Sequence, residues 1–148
     1  MNTRHAHELF VDSWDVYRKI IAGNYMFHRE IYAEVERLLK SNHAAPFTML
    51  DLGCGDASTL APVLKKLPIG AYTGIDLSDA ALKQAASNLA KLPCSITLKN
   101  ADMLAFLQQD KAHYDVIFSS FSLHHLIAKD KLTFLEACRH RVNQNGMI

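Results

Sequence analysis

The segment Met49-Leu50-Asp51-Leu52-Gly53-Cys54-Gly55-Asp56 concentrates the chemistry of this chain. An apolar run enters it, two glycines bend it, and a carboxylate stands on each side of the bend. Gly53 and Gly55 let the backbone turn sharply and let a ligand approach without meeting a Cβ. A bend of this kind ahead of a helix usually holds a phosphate, which needs neutral or positive surroundings. Asp51 and Asp56 would repel one, and Ser58 stands where a dinucleotide fingerprint has its third glycine. The pattern therefore selects a ligand that carries positive charge. As plain turn residues, Asp51 and the glycines would only shape a loop.

Three further clusters follow in order. Asp76 ends the apolar run Tyr72-Thr73-Gly74-Ile75, 25 residues after Asp51. A carboxylate there can accept both hydroxyls of a ribose, with Leu77 beside it, and it also suits a helix N-cap. Asp102, in Asn100-Ala101-Asp102-Met103, is placed to accept from an adenine amino group, with Met103 offering the ring an apolar surface or a backbone amide. Its plainer role is to cap the short helix that follows. Ser119 and Ser120 follow a fourth apolar run and fall opposite the glycine bend. They open Ser119-Ser120-Phe121-Ser122-Leu123-His124-His125.

Adjacent histidines point in different directions, so at most one is expected to face a cavity. Hydrogen bonding to nearby backbone is the plainer role for both. With no third ligand at suitable spacing, no metal is expected. S-adenosylmethionine (SAM) carries an ammonium, a sulfonium and an adenosine but no phosphate, and it suits this set of groups better than NAD, FAD or ATP.

These residues need a scaffold that delivers each of them to one edge. After Pro46 the chain alternates short apolar runs with helical segments. Strands are expected at 48–52, 71–75, 95–99 and 114–119, and helices at 58–67, from 78 or 79 to about 90, 104–109 and 130–142. That alternation implies βαβ units and a parallel sheet covered on both faces. The expected architecture is α/β, three layers, with residues 46–148 as the core. Residues 1–45 form an N-terminal helical cap, with stripes through Phe10, Trp14, Tyr17 and Ile20/Ile21 and then Phe27, Ile31, Val35 and Leu38/Leu39, broken at Gly23-Asn24. Asn143 to Gly146 reads as a turn and Met147-Ile148 as the opening of a fifth strand, so the remaining strands are expected to be absent from this chain.

Taken together, Asp51-Leu52-Gly53-Cys54-Gly55, Gly74-Ile75-Asp76-Leu77-Ser78, Asn100-Ala101-Asp102-Met103 and the Ser-rich segment ending in His124-His125-Leu126 resemble the class I SAM-dependent methyltransferases, from about Phe47 to Ile148. The resemblance implies that Asp51, Gly53, Cys54 and Gly55 face the methionyl part of SAM, that Asp76 and Leu77 hold the ribose and that Asp102 and Met103 hold the adenine. Ser119 and Ser120 would lie near the transferring methyl. Asp56 departs from the family's third glycine. The implied product is S-adenosylhomocysteine. No residue is required as a base, and His124 and His28 are the first candidates. Tyr17, Tyr25 and His28 are candidates for a substrate wall, against packing on the sheet or in a homodimer.

The acceptor is expected to be a small molecule. An Asn-Pro-Pro-Tyr type motif is replaced by Ser119-Ser120-Phe121-Ser122, and 16 basic against 15 acidic residues gives no electrostatic case for nucleic acid or a membrane surface. Three scattered cysteines and no apolar run of membrane length point to a soluble, cytoplasmic protein. Two other functions compete. One is a nicotinamide oxidoreductase, opposed by Asp51, Asp56 and Ser58; the other is a SAM-binding protein without catalysis.

Overall fold

The segment Phe47–Leu52 (β1) is apolar on both of its faces, as a strand buried between two layers must be. Met49, Leu50 and Leu52 are fully buried. The computed structural model describes residue 16 and residues 19–148. Its other strands are β2 (Ile69–Asp76), β3 (Ser95–Asn100), β4 (Tyr114–Phe118) and β5 (Val142–Met147). They form one sheet in the order β3-β2-β1-β4-β5, with every neighbouring pair parallel.

Among the described residues, the helices that cover this sheet are α1 (His28–Asn42), α2 (Ala61–Leu64), α3 (Asp79–Leu89), α4 (Met103–Gln109) and α5 (Ala128–Arg141). On one face Met49 and Tyr72 meet Leu39 of α1, Leu64 of α2 and Leu89 of α3. On the other, Leu50, Ile75 and Ile117 meet Leu107 of α4 with Phe134 and Cys138 of α5. The three-layer α/β expectation holds.

Three local expectations change. Helix 58–67 shrinks to α2, because Pro62 has no N–H to donate to Ser58 and fits only the first helical turn. The buried face of α1 runs through His28, Tyr32, Val35 and Leu39, while Phe27, Ile31 and Leu38 are exposed. The break at Gly23-Asn24 sets that rotation. Asn24, in the left-handed region, accepts from the Arg29 amide and donates to Glu30, fixing where α1 starts.

The third change is at the chain's end. Val142–Met147 is a strand beside β4 rather than a turn, with an irregular register. Asn143 donates to Asp115 at 2.7 Å. At Gly146, a Cβ would come within 2.7 Å of the Asp115 carbonyl, so the absence of a side chain admits the strand. The same Asp115 carboxylate accepts from the amide and hydroxyl of Thr48 at 2.8 and 2.9 Å, joining β1, β4 and β5 at their starts. Trp14, Tyr17 and Phe10 lie outside the described residues. Among the described residues no helix is long and apolar enough to cross a membrane.

Candidate functional site

Parallel strands end together, and beyond the ends of β1, β2 and β4 a cleft of about 650 Å³ opens. This is where an open α/β sheet leaves room, because its connections diverge on either side of the central strand. Asp51, at the penultimate position of β1, lines it and is nevertheless 3% exposed. Burial pushes its carboxyl up to about 7; the Tyr72 hydroxyl, donating at 2.7 Å, opposes this and the charge of Asp76 adds to it.

The bend after β1 is closed by its own backbone. The amides of Gly53 and Cys54 both donate to the Ile75 carbonyl, at 2.8 and 3.0 Å. The Gly55 amide donates to Asp76 Oδ2 at 2.8 Å. Phosphate-binding bends present successive free amides to an anion; here three successive amides are already committed, and two carboxylates stand beside them. Gly53 needs its freedom twice over. Its φ is +76°, and a Cβ would fall 2.5 Å from Ser122 Cβ.

Asp76 does not cap α3. Ser78 does, accepting from the Ala81 amide, while Asp76 Oδ1 accepts from the Ser78 amide at 2.8 Å. Each Asp76 oxygen thus holds one backbone amide and keeps a second lone pair for a ligand. Asp102 does cap α4, with Oδ1 accepting from Leu104 and Ala105, and it also lines the cleft together with Leu77 and Met103. The two roles that the sequence left open at Asp102 are compatible, since the cap uses one oxygen.

The loop after β4 departs from expectation. Ser119 is turned inward: its hydroxyl donates to the Leu52 carbonyl at 2.9 Å and lies 2.7 Å from the Ser122 hydroxyl. Ser122, which the sequence did not single out, also reaches Leu52, at 3.0 Å, and forms the floor beneath Gly53. Of the serine pair, Ser120 lines the cleft and Ser119 ties the loop to β1. His124 and His125 both line the cleft. A 3₁₀ turn (Leu123–His125) sets their rings 3.9 Å apart, which corrects the expectation that only one could face it. Burial lowers the His125 pKa first, and the neighbouring His124 adds to that.

The N-terminal candidates separate. Tyr25 is 77% exposed and does not line the cleft; Tyr17 lies outside the described residues. His28 is buried at the start of α1, stacked 4.4 Å from the Phe121 ring, and burial holds its pKa below the ordinary imidazole range. It lines a smaller neighbouring hollow, so Phe121 stands between it and the cleft. Phe121 takes a left-handed backbone conformation, uncommon for an aromatic residue. The α1 residue that reaches the cleft is Tyr32, edge-on to Phe118. Its signal was the helical spacing His28, Tyr32, Val35, Leu39, which shares Val35 and Leu39 with the stripe read from the sequence and differs by one position at its start.

Residues 50–148 match a family described as a methyltransferase domain. The chain belongs to this family. Within it, the methyltransferase domain described here is 32% identical over 95 residues to a trans-aconitate 2-methyltransferase of Acidovorax sp., covering 60% of this chain and 32% of that protein. It is 28% identical over 138 residues to an uncharacterized protein of Methanocaldococcus jannaschii, covering 93% of this chain and 35% of that one. The chain therefore spans about a third of the length of these curated relatives. Among solved structures, a SAM-bound amino pentose methyltransferase from Micromonospora echinaspora superposes with a TM-score of 0.67 at 19% identity, over 86% of this chain and 52% of that one, a likeness of fold.

Proposed function

We propose that the protein bearing this domain transfers a methyl group from S-adenosylmethionine to a small-molecule acceptor. The observation that carries this is the bend after β1, whose amides are bonded to Ile75 and Asp76 while Asp51 and Asp76 flank the same space. A site with acid on its walls and no free amide row suits an ammonium and a ribose and opposes a diphosphate. Asp51 would meet the ligand's ammonium, the open lone pairs of Asp76 its ribose hydroxyls, and Asp102 with Met103 its adenine. Bound there, SAM supplies a methyl group on an electrophilic sulfonium, ready for displacement.

The chain's own task is then to orient the acceptor and keep water out. Ser120, Phe121, Tyr32 and the two histidines also line the cleft and would border the acceptor. His125, its pKa lowered by burial, is placed to take the proton from a hydroxyl nucleophile, or from an ammonium that thereby becomes a nucleophilic amine. The relative that acts on trans-aconitate and the structural neighbour that acts on an amino pentose support a small acceptor. Calorimetric titration with SAM and with NADH side by side tests the cofactor, with SAM expected to bind and NADH not. Transfer of labelled methyl from SAM into a metabolite pool by the full-length protein tests the reaction. Binding without transfer would leave a SAM-binding protein, and binding of NADH alone would overturn both.

A further inference from the structure

Asp51 of β1 lies beside Gly74 of β2 in the parallel register. A Cβ at position 74 would come within 2.9 Å of the Tyr72 ring and 2.9 Å of Cys54 Sγ. The missing side chain thus opens a space on the flank of Asp51. Tyr72, two residues earlier and on the same face of β2, extends across that space until its hydroxyl donates to Asp51 Oδ2 at 2.7 Å. Tyr72 is 1% exposed, so a phenol has been buried where phenylalanine would fill nearly the same volume. A buried hydroxyl needs a partner, and this one has the carboxylate on the cleft floor.

We propose that Tyr72 is a positioning residue for ligand binding: its hydroxyl fixes Asp51 Oδ2 and favours the ionised carboxylate, so that the other oxygen receives the ligand's ammonium. This rests on reading the cleft as a SAM site. It accounts for Tyr72, which precedes the Gly74–Ser78 motif, and gives Gly74 within that motif a packing reason.

The linkage follows from what surrounds Asp51. Burial, with help from the Asp76 charge, moves its carboxyl up to about 7, and Tyr72 works against both. From the bend, Cys54 contributes a thiol that burial and the two carboxylates keep protonated. From β4, the paired residue is the uncharged Phe118. His124, His125 and, from α1, Tyr32 line the same cleft. A protonated Asp51 offers an ammonium only a neutral acid, whereas the ionised form makes a charge-assisted bond. Affinity for an amine-bearing ligand therefore rises with pH up to about 7 and then levels, and binding below that pH releases a proton. Removing the Tyr72 hydroxyl removes the contact that favours ionisation, so the midpoint moves upward.

The probe is S-adenosylhomocysteine, which keeps the amine and lacks the reactive methyl, titrated calorimetrically from about pH 5.5 to about pH 8.5. Wild-type affinity is expected to fall about tenfold per pH unit below its midpoint, with proton release seen in buffers of different ionisation heat. Tyr72→Phe, confirmed folded by its melting transition, is expected to bind several-fold more weakly at neutral pH and to recover at the alkaline end. Asp51→Asn is expected to show no such slope, and neither is the wild type with 5′-methylthioadenosine, which keeps the adenine amino group but lacks the aliphatic ammonium. Equal midpoints for wild type and Tyr72→Phe would overturn the role of Tyr72, as would an equal slope with methylthioadenosine. Failure of the wild type to bind either nucleoside at any pH would instead remove the SAM reading on which it rests.

Discussion

Asp51 and Asp115 sit on neighbouring strands at opposite ends of the same sheet, and their surroundings treat them in opposite ways. Asp115 is subject to burial, which raises its pKa, yet the Thr48 amide, Asn143 and the Thr48 hydroxyl together hold it below the usual carboxylate range. Asp51 is more deeply buried, has the Tyr72 hydroxyl as its donor, and is pushed up to about 7. Both are carboxylates on strand faces, so residue type does not separate them. Depth of burial does first, and the number of donors second. Where three strands must be held in register, the carboxylate is fully served by the protein. Where the strands end in a cleft, it is left under-served, and an incoming cation can complete it.

The contrast can be broken most severely at the bend. Gly53→Val combines a left-handed backbone with a collision against Ser122. It is expected to weaken SAM binding by at least about 100-fold, measured by calorimetry on a variant whose melting shows it folded; near-normal affinity would mean that the bend does not hold the ligand. Next in size is Asp115→Ala, which strands the donors of Thr48 and Asn143. A loss of about 2–3 kcal/mol in denaturant unfolding is expected, with SAM affinity of the folded fraction unchanged. An affinity loss matching the stability loss would erase the distinction between the two ends.

The smallest effect sharpens the comparison through pH. A carboxyl raised from its unfolded value to about 7 lends stability that is present at low pH and lost as pH rises through 7. A depressed one, as at Asp115, lends stability above the unfolded value that is lost only on acidification. Asp51→Asn is therefore expected to raise the melting temperature by a few degrees at about pH 8, with the gain vanishing towards about pH 4. A loss of stability at the alkaline end would show that Asp51 is structurally served after all.

Much of this was legible in the residues. The β1 run and its bend stand out because a strand buried on both faces must be continuously apolar and only glycine follows such a path. Asp76 and Asp102 were legible because parallel strands deliver their last residues to one edge. The first two turns of the N-terminal face were misplaced by one position, His28 and Tyr32 facing inward in place of Phe27 and Ile31, while Val35 and Leu39 pack as read; Asn24 fixes the start of α1 through hydrogen bonds that periodicity does not encode. Asn143 to Gly146 read as a turn because their chemistry is turn chemistry. Pairing with β4, nearly thirty residues away in sequence, makes a strand of them, with Asn143 donating to the Asp115 carboxylate and Gly146 leaving room beside its carbonyl. Ser119 was assigned to the cleft because hydroxyls after a strand usually point there; the nearby Leu52 carbonyl claims it instead.

The self-bonded bend has a further consequence for how a ligand arrives. Gly53, Cys54 and Gly55 hold their shape through Ile75, Asp76 and the Ala57 amide, all within the chain, so the loop's amides do not wait to be ordered by association. The entropy that a floppy loop would surrender on capture has already been lost during folding. A receptor prepared in this way meets its guest as a rigid mould, and its selectivity is settled before the encounter.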